Sequence, residues 1–216
     1  MKTHIKQKSL ADYIIQDLED KINTDILKPG ERIVEETLCK AFGVSRSPVR
    51  EALRTLESQG YVVREPRKGV SIARVTAKEI EDIYRIRANL ESLAVYLAVK
   101  KQDPKVLQEL NKINGKMIEL AKESKVLDAY FNLNLKFHKI LVDACDNKRL
   151  IQMIDTFVKQ TKRFRLQILS TPGRIGASLK NHEMIIRSFE AGDAKKAELL
   201  RKETILKNIH TFSKTK

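Results

Sequence analysis

The sequence predicts a mainly α-helical protein in two parts, an N-terminal winged helix-turn-helix and a C-terminal all-helical antiparallel bundle of about six helices. Two observations support this prediction. Apolar residues recur at the spacing of amphipathic helices over most of the 216 residues, and β-rich runs follow one another only between residues 61 and 75. With eight glycines and five prolines, the chain also has too few turn residues for an all-β fold.

The first part, residues 1–75, has the order of segments typical of a helix-turn-helix. An amphipathic helix is predicted from residue 8 to about 25, and the Pro-Gly turn at 27–31 ends it. A short helix at 35–42 follows, and the tripeptide GVS at 43–45 leads into a third helix. Two helices joined by so tight a turn form the core of the helix-turn-helix motif.

The third helix and the hairpin after it have sequence signals at their ends. Ser47 is the predicted N-cap and Pro48 the first helical residue, where a missing N–H costs nothing. Gly60 is the predicted C-terminal glycine. The β-rich runs YVVRE and GVSIARV are joined by the basic turn PRKG, which predicts a two-stranded wing.

Residues 76–216 are predicted to be helical throughout. Thr76 and Glu79 have the T-x-x-E spacing of a capping box, which begins a long helix with apolar residues from Ile80 to Ala98. The short connections between the helical segments indicate an antiparallel bundle. The further predicted helical segments are 103–123, 126–145, 148–170, 174–190 and 193–213.

Composition limits the classes of function. The formal net charge is +14, but residues 1–75 contribute only +3 of it, so charge alone does not locate a nucleic-acid site. No apolar run approaches the roughly 18 to 20 residues that a membrane span needs, and the N-terminus lacks a signal-peptide core, so no membrane partner is expected. Cys39 and Cys145 lie in separate helical patterns, as expected for reduced thiols in a cytoplasmic protein.

The third helix has two chemically distinct faces. Four apolar residues recur at i, i+3, i+4 and i+7 from Val49 to Leu56 and anchor the helix. Near its N-terminus the helix presents arginines and serines, whose side chains bond guanine edges and phosphates. The alternatives are a solvated charged face or a winged helix that binds protein. The predicted DNA contacts on the helix and the wing tip are Ser45, Arg46, Ser47, Arg50, Arg67 and Lys68.

The stretch GVSRSPVREALRTLESQGYV, followed by RKGV and preceded by the LKPGERI turn, resembles the DNA-binding domain of the GntR family of bacterial transcription regulators. Relatives often present an arginine to DNA where this chain has Glu36, so its operator preference is expected to differ. The resemblance implies operator contacts for Arg46 and Arg50, phosphate contacts for Ser45 and Ser47, and wing contacts for Lys68 and Gly69.

The second part resembles the FCD effector domain of the FadR-like branch of that family, in the segments RIRANLESLA, FNLNLKFHKILVDACDNKRL and NHEMIIRSFEAGDAKKAELLRKETI. Many members hold a divalent metal with an aspartate and three histidines. The resemblance places Asn134, His138, His182 and Thr204 at these four positions, so only two of the usual ligands are kept. His210, six residues after Thr204, is rotated about 240° away on a helix.

This replacement predicts a poor zinc or nickel site, because zinc prefers nitrogen, sulfur or carboxylate donors. We favour two buried polar histidines, hydrogen-bonded to each other or to a ligand, over a weak divalent metal that an acidic effector completes. The resemblance also implies an acidic small-molecule effector, for which Arg87, Arg163 and Arg165 are the predicted guanidinium partners. Alternatively, Arg87 and Glu91, at i and i+4, pair with each other.

Together these features predict a ligand-responsive repressor that binds a pseudo-palindromic double-stranded DNA operator as a homodimer, with a small carboxylate or sugar acid as its effector. A DNA-binding protein whose bundle only dimerises stays open as an alternative. A metal-dependent hydrolase or lyase is disfavoured, because the sequence has neither a full ligand set nor a phosphate-binding or nucleophile motif.

Overall fold

The computed structural model describes residues 9–123 and 126–209, and the chain divides into two compact units between Val75 and Thr76. Each unit has its own apolar core. The predicted class is confirmed, with a winged helix-turn-helix first and an all-helical bundle second. Within the described ranges, every helix is too short or too polar to serve as a membrane span.

The first unit combines three helices with a three-stranded antiparallel sheet. Its strands lie in the order β1-β3-β2, so β2 and β3 form the predicted wing and β1 adds an unpredicted strand. The first strand forms because Gly30, with a φ of 81°, turns the chain back towards the sheet, where its N–H donates to the carbonyl oxygen of Ile72 at 2.8 Å. The elements are α1 (Leu10–Asn23), β1 (Arg32–Ile33), α2 (Glu35–Phe42), α3 (Arg46–Ser58), β2 (Val62–Glu65) and β3 (Gly69–Ile72).

The helix α3 begins two residues earlier than predicted. Ser45, rather than Ser47, has the extended backbone of an N-cap, with φ of −70° and ψ of 172°. Pro48 is therefore the third helical residue instead of the first. It is tolerated there because the N–H groups of the first turn have no partner within the helix. Gly60, with a φ of 77°, follows the end of α3 as predicted.

The second unit contains seven helices within the described residues. Its first helix begins as predicted, because the Thr76 N–H donates to Glu79 Oε2 at 2.7 Å and the Glu79 N–H donates to Thr76 Oγ1 at 3.2 Å. The core is aliphatic and aromatic, with Tyr130, Phe137 and Phe189 almost fully buried. The helices are α4 (Ala77–Lys101), α5 (Pro104–Leu120), α6 (Leu127–Ala144), α7 (Lys148–Gln160), α8 (Lys162–Ser170), α9 (Arg174–Glu190) and α10 (Ala194–Lys207).

The prediction of one helix over 148–170 is wrong, because the helix is broken at Thr161 into α7 and α8. Thr161 is fully buried, with φ of −105° and ψ of 6°. Its hydroxyl donates to the carbonyl oxygen of Phe157 at 2.8 Å and accepts from Arg87 Nη1 at 2.8 Å. A threonine that bonds back to the preceding turn bends a helix, and here a side chain from α4 fixes the bend.

Candidate functional site

The first candidate site is the exposed face of α3. The four apolar residues of its inner face have no solvent exposure, so the helix is anchored as predicted. Arg54 and Thr55 extend the outer face into a shallow groove along the helix. The predicted DNA contacts of this helix are all exposed on that side: Ser45, Arg46, Ser47 and Arg50.

Arg50 is held by an ion pair that the sequence does not reveal. Its Nε donates to Glu35 Oε2 of α2 at 2.8 Å, and Arg64 of β2 approaches the other Glu35 oxygen at 3.9 Å. The hydrogen bond with Glu35, and then the charge of Glu35, raise the pKa of Arg50. Both terminal nitrogens of Arg50 remain available for the bidentate contact that arginine makes with guanine. Glu36 is exposed and pairs with Lys40 at 2.9 Å, so this part of α2 presents both signs of charge.

The wing tip is basic, and its backbone is left-handed at two positions. Arg67 has a φ of 65° and Gly69 a φ of 87°. Lys68 lies between them, is exposed, and pairs with Glu65 at 2.7 Å. The hydrogen bond with Glu65 raises the pKa of Lys68. The three predicted wing residues therefore lie together at an exposed turn.

Two arginines that sequence reasoning missed line the same concave surface as the wing tip, namely Arg32 and Arg74. Arg32 reaches it because β1 pairs with β3, with Arg32 opposite Ser71. Gly30 leaves room for Arg74, since a Cβ at Gly30 would lie 2.2 Å from Arg74 Nε. The only available signal was the Pro-Gly turn that returns the chain to the sheet.

The second candidate site is a cavity of about 340 Å³ in the helical unit. Residues from α4, α6, α8, α9 and α10 line it, and they include five of the six predicted effector contacts. Lysines and arginines also line the cavity, whereas no aspartate or glutamate of the described residues does. The five are Arg87, Asn134, His138, Arg165 and His182.

Arg163 is the predicted effector contact that does not line the cavity. It precedes Arg165 by two residues on α8, and a step of two residues turns a helix by about 200°. Its guanidinium lies over the ring of Phe164, with the carbon 4.5 Å from the ring centroid. The prediction for Arg163 is therefore wrong, because Arg163 and Arg165 cannot both face the cavity.

Two of the cavity arginines share one buried carboxylate. Glu91 Oε1 accepts from Arg87 Nε at 2.9 Å, and Glu91 Oε2 accepts from Arg201 Nε at 3.1 Å. All three side chains are 4% exposed or less. Burial alone would raise the pKa of Glu91, but the charges of Arg201 and Arg87 outweigh it and lower the pKa to about 2. The alternative pairing of Arg87 with Glu91 is therefore present, inside the cavity wall.

Arg165 has no carboxylate partner among the described residues. Its Nη2 donates to Asn134 Oδ1 at 3.3 Å, and its side chain is only half-buried where it borders the cavity. Burial, and then the charge of Arg87, lower the pKa of Arg165 to about 9. The cavity thus holds three guanidinium groups beside a single carboxylate, which leaves positive charge uncompensated.

The two histidines and Asn134 converge in this cavity. His138 Nε2 lies 3.4 Å from His182 Nε2, and Asn134 Nδ2 lies 3.2 Å from His182 Nε2. The His182 ring stacks on Phe137, with ring centroids 4.2 Å apart. Burial, and then the charge of Arg201, lower the pKa of His182 to about 3 and place that of His138 well below its ordinary value. Both imidazoles are therefore neutral near pH 7.

These residues do not fit a divalent metal. The Thr204 hydroxyl donates to the carbonyl oxygen of Leu200 at 2.7 Å, which points it along its own helix. Arg201 Nη1 lies 3.2 Å from His138 Nε2, so a cation already borders the imidazole that a metal would need. Across residues 9–123 and 126–209, no three His, Cys, Asp or Glu side chains group as metal ligands. His210 lies outside these ranges.

Arg201 is the most deeply placed residue that sequence reasoning missed. It lies on the buried face of α10 in register with Ala194, Ala197 and Ile205, at helical spacing. An arginine on an apolar stripe needs a partner inside the protein, and this was the signal in the sequence. Arg174, at the start of α9, also lines the cavity and was missed.

Comparison with known proteins agrees with this division of the chain into a DNA-binding surface and a ligand cavity. Residues 10–72 match the model of bacterial regulatory proteins of the gntR family, and residues 82–206 match that of the FCD domain. The protein is therefore a DNA-binding transcription regulator rather than an enzyme. It belongs to the GntR family and carries an FCD domain.

Individual relatives are regulators as well. The chain is 41% identical to the uncharacterized HTH-type transcriptional regulator YdhC of Bacillus subtilis over 138 residues, which are 64% of this chain and 62% of YdhC, less than two thirds of that relative. It is 27% identical to the HTH-type transcriptional regulator McbR of Escherichia coli, with 95% of this chain and 93% of McbR aligned. It is 29% identical to the gluconate operon transcriptional repressor of Bacillus subtilis, with 88% of this chain and 79% of that protein aligned.

Two solved structures show the same fold. The structure of E. coli McbR/YncC superposes with a TM-score of 0.77 at 24% identity, over 96% of this chain and 98% of that chain. A GntR regulator from Rhodococcus sp. RHA1 superposes with a TM-score of 0.73 at 20% identity, over 95% and 98% of the two chains.

For the DNA-binding surface, we expect Arg46→Ala and Arg50→Ala each to weaken specific operator binding by about 1–3 kcal/mol, because each removes a side chain placed to bond a base edge. Lys68→Ala is expected to weaken all DNA sequences about equally and to lower the salt slope by about one. Fluorescence anisotropy at several salt concentrations measures both. Arg187→Ala, an exposed arginine of the helical unit, is the control and should bind like the parent. Parental affinity in both α3 variants would contradict the assignment.

For the buried cluster, we expect Glu91→Gln to lower the free energy of unfolding by about 3–5 kcal/mol, because it leaves Arg87 and Arg201 without their carboxylate. Urea denaturation measures this change. The matched control is Glu81→Gln on the same helix, whose partly exposed pair with Arg85 should contribute no more than about 1 kcal/mol. Equal losses in the two variants would show that burial of the Glu91 cluster does not matter.

The histidines give a prediction for pH. The pKa of His182 lies near 3 in the folded state and near 6.5 when the chain unfolds, so only the unfolded state binds this proton at intermediate pH. The free energy of unfolding should therefore fall as the pH is lowered from about 6.5, by up to about 1.4 kcal/mol per pH unit for this group. His182→Gln should flatten the slope in urea titrations between about pH 7.5 and pH 5. A difference from the parent that does not change with pH would contradict this account.

Proposed function

We propose that this regulator is a homodimeric repressor that binds a pseudo-palindromic operator through α3 and the wing and responds to a small acidic effector in the cavity of the helical unit. It would act in the cytoplasm, where its operator lies. The DNA-binding side follows from the exposed arginines and serines of α3 and the basic wing tip.

The observation that supports an acidic effector is the charge of the cavity. Arg87, Arg165 and Arg201 line it, and Glu91 is the carboxylate that contacts two of them. Arginine binds carboxylate and phosphate through paired donors, so an anion that enters the cavity meets groups of suitable chemistry. The neutral imidazoles of His138 and His182 add hydrogen-bonding capacity for hydroxyl groups beside the acid.

Repression and dimerisation are supported by the comparisons and by symmetry. A relative that aligns over most of this chain is a gluconate operon transcriptional repressor. That relative favours repression as the mode of control and a sugar acid or small carboxylate as the effector class. A two-fold dimer would present two copies of α3 to half-sites about one helical turn apart, which gives the operator its inverted repeat.

The effector can alter operator affinity only if it binds the DNA-competent and DNA-incompetent arrangements of the dimer with different affinity. Binding to the folded state should also stabilise the protein. A ligand at about 100 times its dissociation constant adds about 2.7 kcal/mol to the free energy of unfolding. Thermal unfolding therefore detects effectors before the operator is known.

The test has two steps with the full-length protein. Selection from a random pool of duplex DNA is expected to enrich an inverted repeat, and size measurements of the complex should give two chains per site. A panel of small carboxylates and sugar acids, with chelator and again with zinc or nickel, is then screened by thermal unfolding and by operator affinity. If no acid changes either readout, the effector part of the proposal is wrong, and the helical unit serves dimerisation alone.

A further inference from the structure

We infer that the cavity selects a small hydroxylated dianion and binds it without a metal ion, with Arg165 as the guanidinium that faces the ligand. The ligand class is a hydroxy-dicarboxylate or a phosphorylated polyol, which share two negative charges and a hydroxyl group. This inference rests on the proposed function, which requires only that some acidic ligand enters the cavity.

The charge of two follows from the groups around the cavity. Arg87, Arg165 and Arg201 contribute three positive charges, and Glu91, bonded to the first and last of them, contributes one negative charge. The histidines are neutral. Two positive charges therefore stay uncompensated in a largely buried space, and a dianion balances them.

Arg165 is the side chain best placed to meet the ligand. Arg87 and Arg201 are 2% and 4% exposed and are already bonded to Glu91. Arg165 instead borders the cavity, is half-buried, and donates to the neutral Asn134 Oδ1 at 3.3 Å. Its lowered pKa agrees with a guanidinium that lacks a negative partner.

Independence from metal follows from Arg201. Its Nη1 lies 3.2 Å from His138 Nε2, where it can only donate, so it occupies a lone pair that a metal ion would need. Its other nitrogens bond Glu91, the buried carboxylate nearest the histidines. A divalent ion added here would face a fixed positive charge and no free anionic ligand.

The hydroxyl group follows from the donors around the histidines. Arg165 donates to Asn134 Oδ1, and Asn134 Nδ2 is 3.0 Å from Ser178 Oγ, which together set the orientation of the amide. Asn134 Nδ2 then donates to His182 Nε2, so this nitrogen accepts. His138 Nε2 also accepts, from Arg201.

Two acceptor nitrogens consequently face each other across 3.4 Å in a cavity that is open to ligand. Their lone pairs repel, and a hydroxyl hydrogen donated by a ligand would relieve that repulsion. The volume of about 340 Å³ is at the small end of ligand sites, which favours a ligand of few heavy atoms.

The first arm of the experiment varies the ligand. Calorimetry with full-length protein in chelator compares succinate with succinamate, its monoamide of almost equal shape, and then compares malate and glycerol phosphate with succinate. We expect succinate to bind about tenfold more tightly than succinamate, and malate about tenfold more tightly than succinate. Malate and glycerol phosphate distinguish the dicarboxylate from the phosphate form of the dianion. Added zinc should leave the affinities unchanged.

The second arm varies the protein. Arg165→Gln should reduce the preference for succinate over succinamate to near unity, because it removes the uncompensated charge that faces the ligand. The matched control is Arg163→Gln, which removes the same charge two residues away on α8, outside the cavity, and should keep the preference. Operator binding and thermal unfolding in the absence of ligand show whether each variant is folded.

Four results would overturn the inference. These are equal affinity for succinate and succinamate, no gain from the malate hydroxyl, loss of binding in chelator, or equal effects of the two arginine variants. Each of them still leaves an acidic ligand in the cavity and so spares the proposed function. If no acid of either charge binds with or without zinc, the proposed effector site is itself wrong, and this inference is wrong with it.

Discussion

The helical unit depends on the buried carboxylate of Glu91. It binds Arg87 from its own helix and Arg201 from α10, and these two arginines extend its influence. Arg87 bonds Thr161, where α7 gives way to α8, and Arg201 contacts His138 of α6. Burying charges in this way costs several kcal/mol per ion, and an apolar cluster of equal volume would stabilise the bundle at least as well. The cluster is therefore better explained by the cavity that it borders than by stability.

An excess of like charge in a cavity makes ligand binding and stability two aspects of one property. Without an anion, Arg165 faces the other guanidinium groups, and burial and repulsion lower its pKa to about 9. A ligand that supplies negative charge removes this repulsion and stabilises the folded state by mass action. The cluster also bears directly on α4, which carries both Arg87 and Glu91 and follows the DNA-binding unit in the chain. A ligand that changes the cluster thus acts on the helix closest in sequence to the winged helix.

The features that sequence analysis predicted are those encoded by near neighbours. The capping box of Thr76 and Glu79 and the apolar face of α3 involve residues within one or two turns, so their pattern is legible in the sequence. The break at Thr161 depends on Arg87, 74 positions away, and the placement of Arg201 depends on Glu91, 110 positions away. Helical periodicity carries no information on such pairs.

Short-range ambiguity accounts for the N-cap of α3, since both Ser45 and Ser47 suit that position by residue type and only the path of the backbone decides between them. For Arg163 and Arg165 the sequence offered two cations on one helix without the rotation of that helix. Here the packing of α8 decides which of them borders the cavity. In both cases the residue types were right, and the element boundary or orientation was missing.

The two units use ion pairs in opposite ways, and solvent exposure is the cause. Glu35 and Arg50 meet at a surface where water screens their charges, so the pair adds little to stability and can be exchanged for other partners. Glu35 engages only Nε, which orients Arg50 while both terminal nitrogens stay available. Glu91 instead holds its arginines away from water, where exchange would leave an unpaired buried charge. An arginine that must release its partner to bind DNA suits the first setting, and arginines that must keep a cavity charged suit the second.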